Sequence, residues 1–446
     1  MRNGINLLLI CCCAMTAFAR EEYRRDFRKT IPLAGGRSFR VENSLGNVTV
    51  RTHSKGEAEV QAAIRCSAST ANEARSICDQ IQILADAASV RTQYPNHLNS
   101  RNLSYGVDYE VLVPETAALE VRNRFGAVTV TGLHAPGTVF NSNGPVYFSG
   151  GRGRLQIENS FGSVEVRTND GELSVRNGNG AVIATDITGA VDVTNRFGNI
   201  RVTNAGRGVT IHSNNGQIEI TNVRGIATVT NSFGGVTVSD AKSDVNVQNS
   251  NGEVRVDGVA GAADLHTTFN RVSASRIGKG LTVRAQNATI TGDTVGESAI
   301  AETTFGGVDL RGVKGGARVT AGNSSIRLSG VGGEVFAKST FNGITVNDAA
   351  GPVTVENQNG SVIVDTRAAQ KCQPVSLRTS FGPIRVTIPG GAGYNVTART
   401  SFGRIHSTAD MTMSGDISGD QLTGRIGAGG CDLRLMNQNG NIDIVK

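Results

Sequence analysis

The sequence predicts an all-β chain: a parallel β-solenoid, or β-helix, built from 18-residue repeats paired as 36, with a small N-terminal α+β insert or cap. Three observations carry this. An octapeptide of the form Asn159-Ser160-Phe161-Gly162-Ser163-Val164-Glu165-Val166 recurs from Asn123 to Asn357 in fourteen copies, each starting 18 residues after the last. A fixed short period of this kind marks stacked repeats. Its third residue alternates strictly between Phe (Phe125, Phe161, Phe197, Phe233, Phe269, Phe305, Phe341) and Asn (Asn143, Asn179, Asn215, Asn251, Asn287, Asn323, Asn359). The composition, with 56 Gly, 5 % aromatics and no Trp, suits short strands joined by tight turns.

Residues 1–19 read as a signal peptide. Met1-Arg2-Asn3-Gly4 is a short positive start, Ile5 to Met15 an apolar run, and Ala17-Phe18-Ala19 a small-x-small cleavage site before Arg20. The run is too short for a permanent span. Cys11, Cys12 and Cys13 raise a lipid-anchored alternative, but Ile10 is bulky for that processing site. The expected location is therefore exported: periplasmic, outer-membrane-associated or extracellular.

Residues 20–114 form the N-terminal cap. Arg20 to Arg28 reads as a charged, solvated lead-in, and Asn43-Ser44-Leu45-Gly46-Asn47-Val48-Thr49-Val50 as a first repeat with Leu45 in the Phe slot. Thr70 and Glu73 make a capping-box signature. Ala74, Ile77, Cys78, Ile81 and Leu84 follow at helical spacing, which predicts one helix over about Thr70 to Ala85. It would pack on strands at Ser89–Tyr94 and Tyr105–Val113 and blunt the open end of the solenoid.

Residues 115–366 hold the regular repeats. Leu119, Val121, Asn123 and Phe125 share one parity, so the Phe series is expected to face inward as a structural core ladder, and Phe233→Asp to abolish folding. Like residues stack well, Phe on Phe and Asn on Asn. Strict alternation therefore favours a 36-residue coil, and the rival is an 18-residue coil with Phe over Asn. At ~4.8 Å per coil, the first gives a body of roughly 34 Å and the second roughly 67 Å. Residues 367–446 hold irregular repeats (at Thr379, Thr400 and Asn437) and a C-terminal cap, with insertions at Ala368–Pro374, Pro389–Tyr394 and Asp410–Gly430.

Four cysteines follow the leader, an even number in an exported chain, and Cys66–Cys78 and Cys372–Cys431 are the natural local disulfides. With no CxxC and six scattered His, no metal site is expected, nor any cofactor. The formal charge of +6 is mild and interleaved with acids, and no basic stripe with stacking aromatics is visible, so no nucleic acid is expected as a partner. Asp170, Asp186, Asp192, Asp240, Asp244 and Asp257 are read as taking different places in the repeat, and His53, His97, His134, His212, His266 and His406 as lying in unrelated contexts. The expectation is no enzyme, and no catalytic residues are assigned.

The repeats, together with Tyr109-Glu110-Val111-Leu112-Val113-Pro114 before Leu119-Glu120-Val121-Arg122-Asn123, and Val386-Thr387-Ile388-Pro389 before Thr400-Ser401-Phe402-Gly403, resemble the bacterial putative-adhesin family of β-strand-repeat domains of unknown function. The resemblance runs from about Arg37 to the C-terminus. It implies export, a β-solenoid and an adhesive or envelope role, and it brings no catalytic residues. The Phe at every second repeat departs from the family pattern. The partner expected is a surface glycan, matrix or envelope protein, with self-association as a further mode. A periplasmic scaffold or sensor, or a carbohydrate-active β-helix enzyme, are the alternatives.

Overall fold

The computed structural model describes residues 20–95, 103–367, 372–414 and 419–446. The leader expected over residues 1–19 lies outside them, as do His97 and parts of the last repeats' insertions. Parallel β-strands stack coil upon coil, and from Ala118 to Asn359 each strand pairs with the one 18 residues on: Val121 with Val139, Val139 with Ile157, Ile157 with Val175. One coil is therefore 18 residues, and the favoured 36-residue coil is corrected. Eighteen residues already supply two strands and the corners between them, so the chain has closed a turn before the Phe/Asn alternation repeats. At ~4.8 Å per coil, fourteen coils rise roughly 67 Å.

With the Asn159-type residue as position 1, the side chains at positions 1, 6, 8, 11, 15 and 17 point inward. In one coil these are Leu155, Ile157, Asn159, Val164, Val166 and Asn169, all buried. Mostly they are Val, Ile, Leu and Ala. Burying a Val, Leu or Ile contributes about 1.5–3 kcal/mol. The core of the repeats is thus a thin column made mainly of small branched side chains.

Two corners break the strict alternation. At position 10 the backbone adopts a left-handed conformation, as at Asp186 (φ 57), Asn204 (φ 58), Asn222 (φ 56) and Asp240 (φ 56). Asn and Asp tolerate that region better than other non-glycine residues. Asp186 and Asp240 therefore do share a place in the repeat, contrary to expectation. At position 4 the coils approach so closely that a Cβ on Gly162 (φ +126) would lie 2.3 Å from the Gly144 carbonyl oxygen. Gly180 meets Gly162 in the same way at 2.2 Å.

The ends are built differently. Strands β1 (Glu21–Pro32), β2 (Ser38–Leu45), β3 (Val48–His53) and β4 (Glu57–Ala68) precede helix α1 (Ala71–Gln80); β5 (Gln82–Ala85), β6 (Ser89–Gln93) and β7 (Ser104–Pro114) follow it. β2 and β3 form a coil in register with the main stack, Asn43 on Asn123 and Val48 on Val128. β6 and β7 add to its outer edge, and β1, β4 and β7 make an antiparallel layer across the end. Two expectations are corrected here. The charged stretch 21–32 is a strand, because alternate residues such as Tyr23 and Phe27 pack on the core. The helix stops at Gln80, since Gln82–Ala85 pairs with β6. The Thr70 hydroxyl accepts the Glu73 N–H at 3.2 Å, capping the helix start. A disulfide joins Cys66 on β4 to Cys78 on α1.

At the other end the chain order and the stacking order part company. Strands Val375–Phe381 and Ile384–Thr387 stack on the final strands Cys431–Asn439 and Ile442–Val445. The intervening strands Tyr394–Arg399 and Ile405–Ser407 lie beyond those, as the outermost coil. Gln421–Ile426 then covers the outer edge of Tyr394–Arg399 in antiparallel pairing, and Met411–Met413 extends that layer. A second disulfide joins Cys372 to Cys431.

At Gly198 (φ +122) a Cβ would lie 2.4 Å from the Gly180 oxygen, so this coil has no room for one. Gly198→Ala is expected to lose more than about 1 kcal/mol and to lower the thermal midpoint measured by circular dichroism.

Candidate functional site

The seven Phe expected in the core are on the surface. Phe125, Phe161, Phe197, Phe233, Phe269, Phe305 and Phe341 are 43–57 % exposed. The inward core-ladder expectation is overturned, and the cause is local. Cross-coil pairing runs through position 1, Asn159 to Asn177, lapses at position 2, and resumes at position 3, Phe161 to Asn179. The chain turns at position 2, so Ser160 and Phe161 are both exposed in succession and the parity count fails one residue before the glycine.

The inward amides belong to position 1 instead. The Nδ2 of Asn195 donates to the Gly198 oxygen of its own coil at 3.0 Å and to the Gly180 oxygen of the preceding coil at 3.1 Å. Asn159 and Asn249 make the same two bonds. Asn159, Asn195 and Asn249 therefore each staple two coils at this corner, while Asn177 bonds only within its own coil. Where the position is Ser, as at Ser339, the hydroxyl reaches the Phe341 and Ser324 oxygens at 2.8 and 2.9 Å. The position-3 Asn residues lie on the outside, between the Phe rings. Asn251 and Asn359 reach back to the Ser232 and Thr340 carbonyls, each at 3.3 Å.

The result is a straight outer column in which Phe and Asn alternate, with Phe rings about 9.6 Å apart, two coils. It survives the exchange of coil order near the C-terminus. Asn359 pairs with Phe381, Phe381 with Asn439, and Asn439 bridges to Phe402. Along the chain these run Phe381, Phe402, Asn439, yet in space the order is Phe, Asn, Phe. Phe381 and Phe402 are 53 % and 76 % exposed.

Beside this column lies a groove of about 1090 Å³, from the coil of Asn43 to that of Phe197. Arg91, Arg122, Arg124, Arg176 and Arg196 line it with Phe140, Phe161 and Phe197, against two carboxylates, Glu42 and Glu158. A basic, aromatic-bearing stripe is thus present, contrary to expectation. It is hidden in the sequence because Arg91, the Arg122–Arg124 pair, Arg176 and Arg196 come from separate stretches of the chain that stacking brings to one face. The Arg122 guanidinium lies over the Phe140 ring at 4.8 Å from its centroid, and that of Arg124 over Phe125 at 5.5 Å. Arg176 faces Glu158 at 3.6 Å. Further along the same face, a shallower groove of about 410 Å³ is lined by Ser232, Gln248, Ser250, His266 and Arg284.

Of the other candidates, His212 and His266 share position 18, three coils apart, while His134 lies 3.3 Å from Glu115 elsewhere. At the position-10 corner, Asn204 donates to Asp186 and Asn222 to Asn204, each at 2.7 Å, so these residues are engaged with one another. Among the described residues, no group of three or more His, Cys, Asp or Glu is placed to hold a metal ion. At the N-terminal end the Asn43 Oδ1 accepts from Tyr94 at 3.0 Å and Thr92 at 3.2 Å, where the cap closes over the amide column. Burial raises the Tyr94 and Tyr109 phenols well above their usual range, so both stay neutral donors.

A family model described as Toastrack DUF4097 matches residues 111–445, three quarters of the chain. The chain belongs to the Toastrack DUF4097 family. No curated protein matches it. Among solved structures, the chain is similar to a putative cell adhesion protein from Clostridium sporogenes ATCC 15579 at 9 % identity and TM-score 0.19, covering 53 % of this chain and 100 % of that one. A putative adhesin from Parabacteroides distasonis ATCC 8503 has 10 % identity and TM-score 0.19, over 77 % and 97 %. One from Bacteroides fragilis NCTC 9343 has 10 % identity and TM-score 0.17, with the same coverage. This Toastrack chain carries the seven repeat Phe on the outside, while Phe39 and Phe148 lie in the core.

Two outcomes follow. Asn195→Ala is expected to cost about 1–3 kcal/mol by leaving two corner carbonyls unpaired, with Asn195→Thr retaining most of the stability, read from urea unfolding midpoints. Phe233→Asp, with its ring 56 % exposed, is expected to stay within about 0.5 kcal/mol of wild type in the same assay.

Proposed function

We propose that this protein is an exported, non-catalytic adhesin that holds an extended polymer against its outer Phe/Asn column by many weak, repeated contacts. The observation that carries the reading is the outward alternation, kept in space across a stretch where the chain abandons its sequence order. A core requirement would not preserve it, because these rings contribute little to the core. Exposed rings in register bury apolar area only when something covers them, and the intervening amides offer hydrogen bonds on the same line. Contacts repeated on a rigid axis multiply weak affinities. Export is supported by the leader pattern at residues 1–19 and by two disulfides, which persist in oxidising compartments. A self-associating scaffold is less favoured, since an antiparallel layer covers the N-terminal end and a second one most of the C-terminal end.

The test is retention of the full-length mature chain on a panel of insoluble cell-wall and matrix polysaccharides. The triple variant Phe161→Ser, Phe197→Ser, Phe233→Ser is expected to keep its melting temperature and to lose retention. Retention unchanged in a folded triple variant would remove the column from the function. Protease treatment of intact cells is expected to shave the protein from the surface; protection until lysis would rule out adhesion.

A further inference from the structure

Resting on the polymer-binding reading, we infer that the groove beside the first Phe residues selects an acidic polysaccharide, with arginines engaging its carboxylates while Phe faces pack on the sugar rings. Charge on this face is local. The exposed position-2 residue is Arg at Arg124 and Arg196, and after that Asn214, Ser232, Ser250, Thr268 and Gln286. Five guanidiniums therefore gather at the N-terminal end, against two carboxylates, and the rest of the face is near neutral. Arg124 and Arg196 form no ion pair among the described residues; Arg124 rests only on the Phe125 ring. Their forks are free for a carboxylate from outside, and guanidinium binds that group in a planar, bidentate way.

Spacing argues for a glycan over a nucleic acid. Phe rings recur about every 9.6 Å, two coils. That is the scale of two sugars in an extended chain. Stacked nucleotides rise only about 3.4 Å, and a single-strand binder presents aromatics to successive bases. The groove also runs across successive coils along the stack, as a linear polymer needs. Arg122, held over Phe140, and Arg176, facing Glu158, are the less available members. The selectivity is therefore assigned to Arg124 and Arg196.

The experiment measures binding of the full-length mature chain to polygalacturonate, a neutral galactan and a single-stranded DNA oligonucleotide, at low and high salt. The variants are Arg124→Ser/Arg196→Ser, Arg124→Lys/Arg196→Lys and the Phe triple. Ser stands at the same position in neighbouring coils (Ser142, Ser160), so the Ser pair keeps the fold. Expected is preference for polygalacturonate, weakened by salt, with the Ser pair losing about tenfold in affinity and the Lys pair only part of that. Equal binding of galactan, unmoved by the Ser pair but abolished in the Phe triple, would overturn the acidic-glycan assignment and leave the Phe column standing. Tighter binding of DNA would overturn it in favour of a nucleic acid. Binding of no probe, or binding indifferent to both sets of variants, would overturn the assignment and the polymer reading together.

Discussion

Much of the stack depends on one close approach, where the glycine corner of most coils sits on the carbonyl of the corner before it; Asn270, Ala288, Ser324 and Asn342 take the glycine's place in four coils. At 2.3 Å from the Gly144 oxygen there is no space for a Cβ on Gly162, and the backbone there has positive φ. Because the coils meet so closely at that edge, their strands fall into parallel register for the length of the stack. The Asn at position 1 belongs to the same device. Its amide can reach two corner carbonyls at once only because the glycines bring them together. A corner without that amide would leave buried carbonyls short of donors, at a cost comparable to several buried methyl groups.

Once that edge is set, the neighbouring residues have no freedom about where they point. Position 2 is the turn itself, and position 3 is carried out to solvent. Burial of Val and Ile at positions 6, 8, 15 and 17 holds the coil together, and the exposed position-3 rings add little to that core. The alternation of Phe, Asn, Phe persists in space through Phe381, Asn439 and Phe402, where the chain order breaks.

The ends show how an otherwise indefinite stack is stopped. At the N-terminus an antiparallel layer and helix α1, joined by Cys66–Cys78, cover the first coil, and Tyr94 and Thr92 satisfy the last amide of the column. At the C-terminus the chain overshoots by one coil and returns to fill the gap, so the final residues are sandwiched rather than frayed. Exposed ion pairs between coils, such as Arg201 with Glu219 at 2.8 Å, decorate the faces but contribute little in water.

The sequence by itself determined the solenoid, its 18-residue beat and the identity of the buried branched residues, because identical spacing can only be satisfied by stacking identical turns. It also carried the first coil at Asn43 and the helix start at Thr70, both local signals. It did not determine which way the Phe point. Strand parity holds only while the backbone stays extended, and the turn at position 2 lies two residues before the glycine that signals it. Nor did it show the arginines of the groove, where Arg91, the Arg122–Arg124 pair, Arg176 and Arg196 become neighbours only through the stacking. The 36-residue alternation looked like a larger coil for a related reason. Like-on-like stacking governs a ladder inside a core, whereas on an exposed edge Phe and Asn sit one above the other without penalty. Which side of the wall a side chain stands on was decided by the tertiary structure alone.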